Sequence, residues 1–360
     1  MRPQLGSELS ELPGPILITG HTGFKGAWLT ILLEHIGIPT IGYSLPPEKN
    51  SLYERANLEG RIPELFADIR DLSLVKDFMA KHKPSAIIHM AAQPLVLESY
   101  KSPRETFDTN VMGTVNILDS AFESDYVKAI IVVTTDKVYR NDNSGRAFIE
   151  SDPLEGKDPY SASKVGAEAA VSAWQQIAKI SDGPKVVSVR AGNVIGGGDW
   201  AENRLIPDLI RGFIAKKPVE IRNPDSTRPW QHVLDPLVGY LMTLEEVLRD
   251  QEITALNFAP PGKSLSVREL LQIAEELWPN SFDIILPTGE NSTILESLNL
   301  DLDTSLSNQM LGKVPIWSQP ESIQRSLSWW NRVLTNQSNP LESCLIDIEK
   351  FLGATAYINL

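Results

Sequence analysis

The sequence predicts an α/β fold, a doubly wound parallel sheet with a smaller mixed α/β domain toward the C-terminus. Three observations predict it. Short β-branched apolar runs alternate with helical patterns through the first half of the chain, as strands covered on both faces should read. The first run ends in a glycine-rich turn that opens into a helical pattern. From Gly196 onward glycine and proline become frequent and strands shorten, marking a second, less regular region.

Taken in order, a polar Met1–Gly14 leader precedes a strand at Pro15–Thr19 and a helix at Ala27–Glu34. Further strands are expected at Pro39–Tyr43, Glu64–Ala67, Ala86–His89, Ala129–Val133 and Val186–Val189, with helices such as Leu72–Lys81 and Thr106–Phe122 between them. In the second region the helix candidates are Leu205–Ala215, Val267–Trp278 and Glu321–Leu334, with Gln337–Pro340 as a loop before a final helix. Val233–Arg249 followed by Ala255–Ala259 reads as helix then strand, so the chain is expected to return to the first domain before finishing in the second. The expected division is 15–192 plus about 229–259 for one domain and about 193–228 plus 260–350 for the other.

Composition narrows the function classes. The 360 residues are 42% hydrophobic and 22% charged, the balance of a globular protein. Lys plus Arg number 33 against 46 Asp plus Glu, and the net charge of −13 argues against a general nucleic-acid or anionic-membrane surface. The single Cys344 excludes an intrachain disulfide framework and cysteine-rich metal sites, so no metal is expected. The leader lacks an apolar signal core, and no run approaches the ~18 apolar residues of a membrane span. A cytoplasmic location is therefore expected.

Thr19-Gly20-His21-Thr22-Gly23-Phe24-Lys25-Gly26 places glycines at 20, 23 and 26 between the first strand and the first helix. Gly20 suits the tight turn, Gly23 lets a pyrophosphate approach the backbone, and Gly26 lets the helix pack closely, which is the dinucleotide-binding logic of a Rossmann sheet. The second strand ends Gly42-Tyr43-Ser44-Leu45, with neither an acid for a ribose 2′-hydroxyl nor an arginine for a 2′-phosphate, so NAD and NADP both stay open. Lys25 is either a neighbour of the adenosine ribose or a solvated lysine. Asp68 and Ile69, after the third strand, are candidate adenine contacts.

Asp158-Pro159-Tyr160-Ser161-Ala162-Ser163-Lys164 sets Tyr160 and Lys164 one turn apart at a helix start, so both project from one face. A nearby ammonium favours the phenolate, which lets Tyr160 accept a proton from a substrate hydroxyl. Ile130–Val133 runs into Thr134-Thr135-Asp136-Lys137, and the carboxyl end of a parallel strand faces the ligand crevice. A hydroxyl, an acid and an amine are thus expected to meet Tyr160.

These motifs, with His89-Met90-Ala91-Ala92-Gln93, Thr109–Thr114, Arg190–Trp200 and Thr227-Arg228-Pro229-Trp230-Gln231-His232-Val233, resemble the extended short-chain dehydrogenase/reductases. Within them, Thr-Asp-Lys, Gly-Gly-Gly-Asp-Trp and Thr-Arg-Pro-Trp-Gln-His are similar to the CDP-glucose 4,6-dehydratase branch, over about residues 15–335. The resemblance implies an internal redox cycle with tightly held NAD and loss of water from a nucleotide-diphosphate sugar. It assigns Tyr160, supported by Lys164, to the O4 proton, Thr135 to holding that hydroxyl, Asp136 to the departing O6 and Lys137 to the C5 proton. Without the leaving-group acid and C5 base, the same fold would serve a 4-epimerase instead. Cofactor contacts implied are Gly20, Thr22, Gly23, Phe24, Lys25, Ser44, Asp68, Ile69, Ala91, Ala92, Gln93, Asn110, Tyr160 and Lys164. The second domain becomes the substrate domain, with Asn193, Arg204, Leu205 and Arg228 near the diphosphate; Trp200 and Trp230 either flank the base or fill the core. A homodimer through the Thr106–Phe122 and Ser161–Ile177 helices is also implied. Two departures stand out: Gln93-Pro94-Leu95-Val96 is followed by Leu97-Glu98 where arginine is usual, and Asn141–Phe148 replaces a tryptophan-containing stretch.

Overall fold

The computed structural model describes residues 5–142, 145–221, 223–278, 283–286, 300–312 and 317–354. Asn143 and Ser144 of the divergent loop, and parts of 260–350, lie outside the described residues. Seven parallel strands form the central sheet: β1 (Ile16–Thr19), β2 (Thr40–Ser44), β3 (Glu64–Phe66), β4 (Ala86–His89), β5 (Ala129–Val133), β6 (Lys185–Ala191) and a last strand, Ala255–Phe258. Their order across the sheet is Ala255–Phe258, β6, β5, β4, β1, β2, β3. The direction of progression reverses between β1 and β4, so the crevice for a ligand opens beyond the carboxyl ends of those two strands.

Strand alternation separates the core into two layers. Ile16, Ile18, Ile88 and Ile131 face the layer that includes the Phe24–His35, Leu234–Leu248 and Gln319–Leu334 helices. Leu17, Ile87, Ile130 and Val132 face the layer that includes Leu72–His82, Gly113–Phe122 and Pro159–Ser181. Outside this sheet the strands are two residues long. Val194–Ile195 pairs with Gln231–His232, Thr227–Arg228 with Leu265–Ser266, and Val219–Glu220 with Ile284–Ile285.

Three elements differ from expectation. The first helix begins at Phe24 rather than Ala27, because the Ala27 N–H already bonds the Gly23 carbonyl at 2.8 Å and the glycine turn itself serves as the N-terminus. The continuous helix expected over Thr106–Phe122 is instead Pro103–Phe107, a π-helical turn at Asp108–Met112, and Gly113–Phe122. Such turns insert a residue to re-aim a side chain, and here the turn carries Asn110. The polar leader forms a short helix, Ser7–Ser10, tied to the Leu234–Leu248 helix: Gly6 N–H donates to Glu245 at 2.8 Å, and Arg249 just beyond pairs with Glu8 at 3.0 Å.

Candidate active site

The glycine turn is shaped by close approaches. Gly20 has φ +76°, and a Cβ there would stand 2.8 Å from the Ala91 nitrogen. A Cβ on Gly26 would come within 2.1 Å of the Gly20 carbonyl. Gly23, by contrast, is exposed and would meet only that carbonyl, at 3.3 Å. The open side of the turn, at a helix N-terminus, is therefore free to receive a pyrophosphate, and the residues present fit a dinucleotide. At the end of β2 the Thr22 and Ser44 hydroxyls share a hydrogen bond of 2.8 Å, and Thr22 also donates to the Leu45 carbonyl. Asp68 is forked by Arg70, which holds its carboxyl below the usual range, while Tyr43 donates to its carbonyl. Ile69 is buried, and a Cβ on Gly113 would strike it at 2.4 Å.

The loop after β4 closes the opposite wall. Thr19 Oγ1 accepts from Met90 and Ala91 N–H at 3.1 and 3.2 Å and hydrogen-bonds His89 Nδ1 at 2.7 Å. Burial pulls the His89 pKa down to about 3, so the ring bridges Thr19 and Thr114 as a neutral spacer. Ala91, Ala92 and Gln93 stay partly exposed along the crevice. Asn110 accepts from Gln93 N–H at 2.8 Å and donates to the Gln93 carbonyl and to Ser163 Oγ, pinning this loop to the Pro159–Ser181 helix.

That helix is capped by Asp158, whose carboxylate accepts from Ser161 N–H at 3.0 Å, with Pro159 in the first turn. Tyr160 and Lys164 are both buried. Burial pushes the Tyr160 phenol up to about 12, against a hydrogen bond shared with Thr135 that lowers it. Burial pulls the Lys164 ammonium down to about 8, and its Nζ donates to the Val133 carbonyl at 3.1 Å. Thr135 Oγ1 gives its one proton to Asp136 Oδ1 at 2.9 Å and has its lone pairs left for Tyr160, so a hydrogen-bonded chain runs from Tyr160 through Thr135 to Asp136. Lys137 follows in a 3-10 turn and remains partly exposed. The structure thus brings Thr135 and Asp136 to Tyr160, with Lys164 bonded to the end of β5 beside them.

Lys25 is not a solvated lysine. Its Nζ lies 3.4 Å from the Tyr240 hydroxyl, and burial together with the Arg204 and Lys164 cations pulls its ammonium down to about 7. Arg204 comes to the same centre: it pairs with Asp199 at 3.0 Å, and its charge favours the Tyr160 phenolate. A Cβ on Gly192 would sit 3.1 Å from both Asp136 Oδ2 and Pro229, which brings the Arg228-Pro229 corner beside the acid. Asn193 accepts from Gln231 N–H through its carbonyl, and Leu205 packs on the core. Trp230 is buried in the core, and Trp200, half-buried, packs against it. Arg55 and Arg211 both stack on Trp200, with centroid distances of 4.6 and 5.3 Å, and the Trp230 indole donates to the Leu265 carbonyl.

Sequence reasoning missed Asp199, Tyr240, Glu168 and Tyr139 as neighbours of this centre. Asp199 stood in the quoted glycine run and Glu168 one turn after Lys164; Tyr240 and Tyr139 gave no local signal. Among the described residues no group of His, Cys, Asp or Glu could hold a metal, and no helix is long and apolar enough to cross a membrane.

A doubly wound sheet whose glycine turn fits a dinucleotide, with a buried Tyr–Lys pair at the carboxyl end of β5, two strands across from β1, defines a dinucleotide-binding α/β site. The profile of the NAD dependent epimerase/dehydratase family matches residues 16–258, and the chain belongs to that family. It is 40% identical over 323 residues to the CDP-glucose 4,6-dehydratase of Salmonella typhimurium, covering 87% of this chain and 89% of that protein. It is 26% identical to the dTDP-glucose 4,6-dehydratase of Haemophilus influenzae, covering 88% and 97%. The structure of MoeE5 in complex with UDP-glucose and NAD superposes with a TM-score of 0.76 at 24% identity, covering 89% and 100%, a likeness of fold.

Proposed function

We propose that the protein is an NAD-dependent hydro-lyase, a nucleotide-sugar 4,6-dehydratase that converts CDP-glucose to CDP-4-dehydro-6-deoxy-glucose and water. The observation that carries the reading is the buried Asp136 in one hydrogen-bonded chain with Thr135 and Tyr160, with Lys137 beside it. Epimerisation at C4 needs no acid for a leaving group and no C5 base; elimination needs both. The 40% identity to a CDP-glucose 4,6-dehydratase supports the same substrate.

NAD, when bound, supplies a reversible hydride acceptor. Gly20, Thr22, Gly23, Phe24, Lys25 and Ser44 would hold it on one side, Ala91, Ala92, Gln93 and Asn110 on the other, and Asp68 and Ile69 at the adenine. Tyr160 takes the O4 proton; burial raises its pKa and the Arg204 cation counters that rise, and the Lys164 ammonium, one turn along the same helix, would act in the same sense. Thr135 orients the 4-hydroxyl. Once C4 is a ketone the C5 proton is acidic; Lys137 removes it while Asp136 gives a proton to the departing O6, which leaves as water, and when C6 takes back the hydride that left C4, the proton returns from Lys137 to C5, so that the sum is loss of one water with no net consumption of NAD. Asn193, Arg204, Leu205 and Arg228 would hold the nucleotide diphosphate, the arginine fork being suited to phosphate oxygens.

The same proposal assigns 15–192 plus about 229–259 to the cofactor and about 193–228 plus 260–350 to the nucleotide sugar. It includes a cytoplasmic homodimer. Phe107, Met112 and Ile177 expose apolar surface on the stretches expected to pair, and a sedimentation mass twice the 39.9 kDa of the chain checks it.

The test is to incubate the purified protein with CDP-, UDP-, GDP- and dTDP-glucose, without added cofactor, and to weigh the products. Loss of one water from CDP-glucose is expected. A product of unchanged mass with inverted C4 would overturn the roles of Asp136 and Lys137.

A further inference from the structure

The Thr135–Val138 turn carries the acid and base, yet the bonds its backbone N–H groups make within it are long: Lys137 N–H reaches Thr135 Oγ1 at 3.3 Å and Val138 N–H reaches the Thr135 carbonyl at 3.4 Å. What fixes it lies at its two ends. Thr134, just before, donates through Oγ1 to Glu168 Oε1 at 2.6 Å. Tyr139, just after, accepts through its hydroxyl from Arg190 Nη1 at 2.8 Å. Glu168 and Arg190 are themselves a buried bidentate pair, Nε to Oε1 at 2.8 Å and Nη2 to Oε2 at 2.7 Å.

One ion pair therefore grips both ends of the turn. Glu168 stands one helical turn beyond Lys164 on the helix that carries Tyr160, and its charge supports the Lys164 ammonium. Arg190 lies on β6, two residues before the Gly192 that abuts Asp136. Further bonds extend the network: Arg190 Nη1 also donates to the Glu150 carbonyl, and Tyr139 donates to Asn257 Oδ1 at 2.7 Å. A buried polar network this densely bonded specifies one geometry.

We propose that the Glu168–Arg190 pair is a positioning device that fixes the elimination machinery, Asp136 and Lys137, relative to the oxidation machinery, Tyr160 and Lys164. Tyr139 is its link to the far end of the turn. The inference rests on the dehydratase reading. Because the substrate must be deprotonated at O4 and then at C5 without leaving the pocket, the two sets of groups must keep a fixed separation, and an ångström of drift costs about a hundredfold in rate.

The experiment compares Tyr139→Phe with the wild type, following water loss from CDP-glucose and the 340 nm absorbance of reduced cofactor during turnover. Tyr139→Phe keeps the Glu168–Arg190–Thr134 anchor and cuts only the distal one. The expected result is a fall in kcat of about tenfold or more at nearly unchanged KM, as for a misplaced acid and base. The 340 nm absorbance should rise under turnover, because oxidation proceeds while elimination lags. A fall in kcat without that rise, or no change in kcat, overturns the proposal. Arg190→Lys, which loses the Tyr139 anchor and also the fork that holds Glu168 beneath Thr134, should slow oxidation as well; equal kinetics for the two variants would also overturn it. If the wild type itself removes no water, it is the dehydratase reading that fails.

Discussion

The two halves of the candidate site are built differently. At the sheet end, the proposed catalytic groups follow directly on the carboxyl end of β5 or lie in the first two turns of a capped helix, and all but Lys137 are buried. In the region after Asn193, the proposed diphosphate ligands ride on two-residue strands and a helix start, and remain partly exposed. The difference follows from the tasks. Proton transfers tolerate little displacement, so their groups belong on the rigid sheet, whereas a charged diphosphate is held by long side chains whose reach absorbs small shifts.

The comparison breaks if mutations on the sheet side alter binding rather than rate. The largest effect is expected from Tyr160→Phe, with kcat lower by about a thousandfold and KM little changed, measured by product mass. Asp136→Asn follows, at about a hundredfold. These two should differ in kind. With Tyr160→Phe the 340 nm absorbance under turnover stays flat, because no sugar is oxidised; with Asp136→Asn it rises, because oxidised sugar waits for a proton donor at O6. A flat trace for both would show that Asp136 acts before elimination.

On the other side, Arg228→Ala is expected to raise KM for the nucleotide sugar about tenfold with kcat within a few-fold, the loss of one charge-assisted phosphate contact. Arg204→Ala sharpens the contrast, since its cation also favours the Tyr160 phenolate. It should raise KM and, in addition, move the pH dependence of kcat upward. Arg228→Ala should leave that pH dependence in place.

The same difference governs what the sequence made legible. The strands of the sheet and the Leu205–Ala215 helix were readable because apolar periodicity and local caps act over a few residues. The Tyr160–Lys164 spacing and the Thr135–Lys137 turn were readable for the same reason. The π-helical turn at Asp108–Met112 was not, because the 3.6-residue apolar pattern runs through it and its cause, the Asn110 bonds to Gln93 and Ser163, is tertiary. Lys25 is similar: its charge pattern says surface, and only the fold turns it toward Tyr240 and Lys164. Tyr139 and Arg190 are 51 residues apart and meet only because β5 and β6 are neighbours.

The smallest expected effect, a few-fold across one pH unit, tests whether Lys164 supplies the charge that Tyr160 needs. Burial places the Lys164 pKa near 8 in the fold, against 10.5 for an ordinary lysine. Activity should therefore decline as pH rises past about 8, as the ammonium that favours the phenolate is lost. Stability should move the other way. Between 8 and 10.5 the unfolded chain keeps a proton on this lysine that the folded chain has released, so the unfolded state binds more protons and unfolding becomes costlier as pH rises. Lys164→Met removes both trends, and the cross-over of falling rate with rising Tm at this one residue is what the buried-lysine account requires. A rate that falls together with Tm in the wild type would assign the alkaline limb to general unfolding instead.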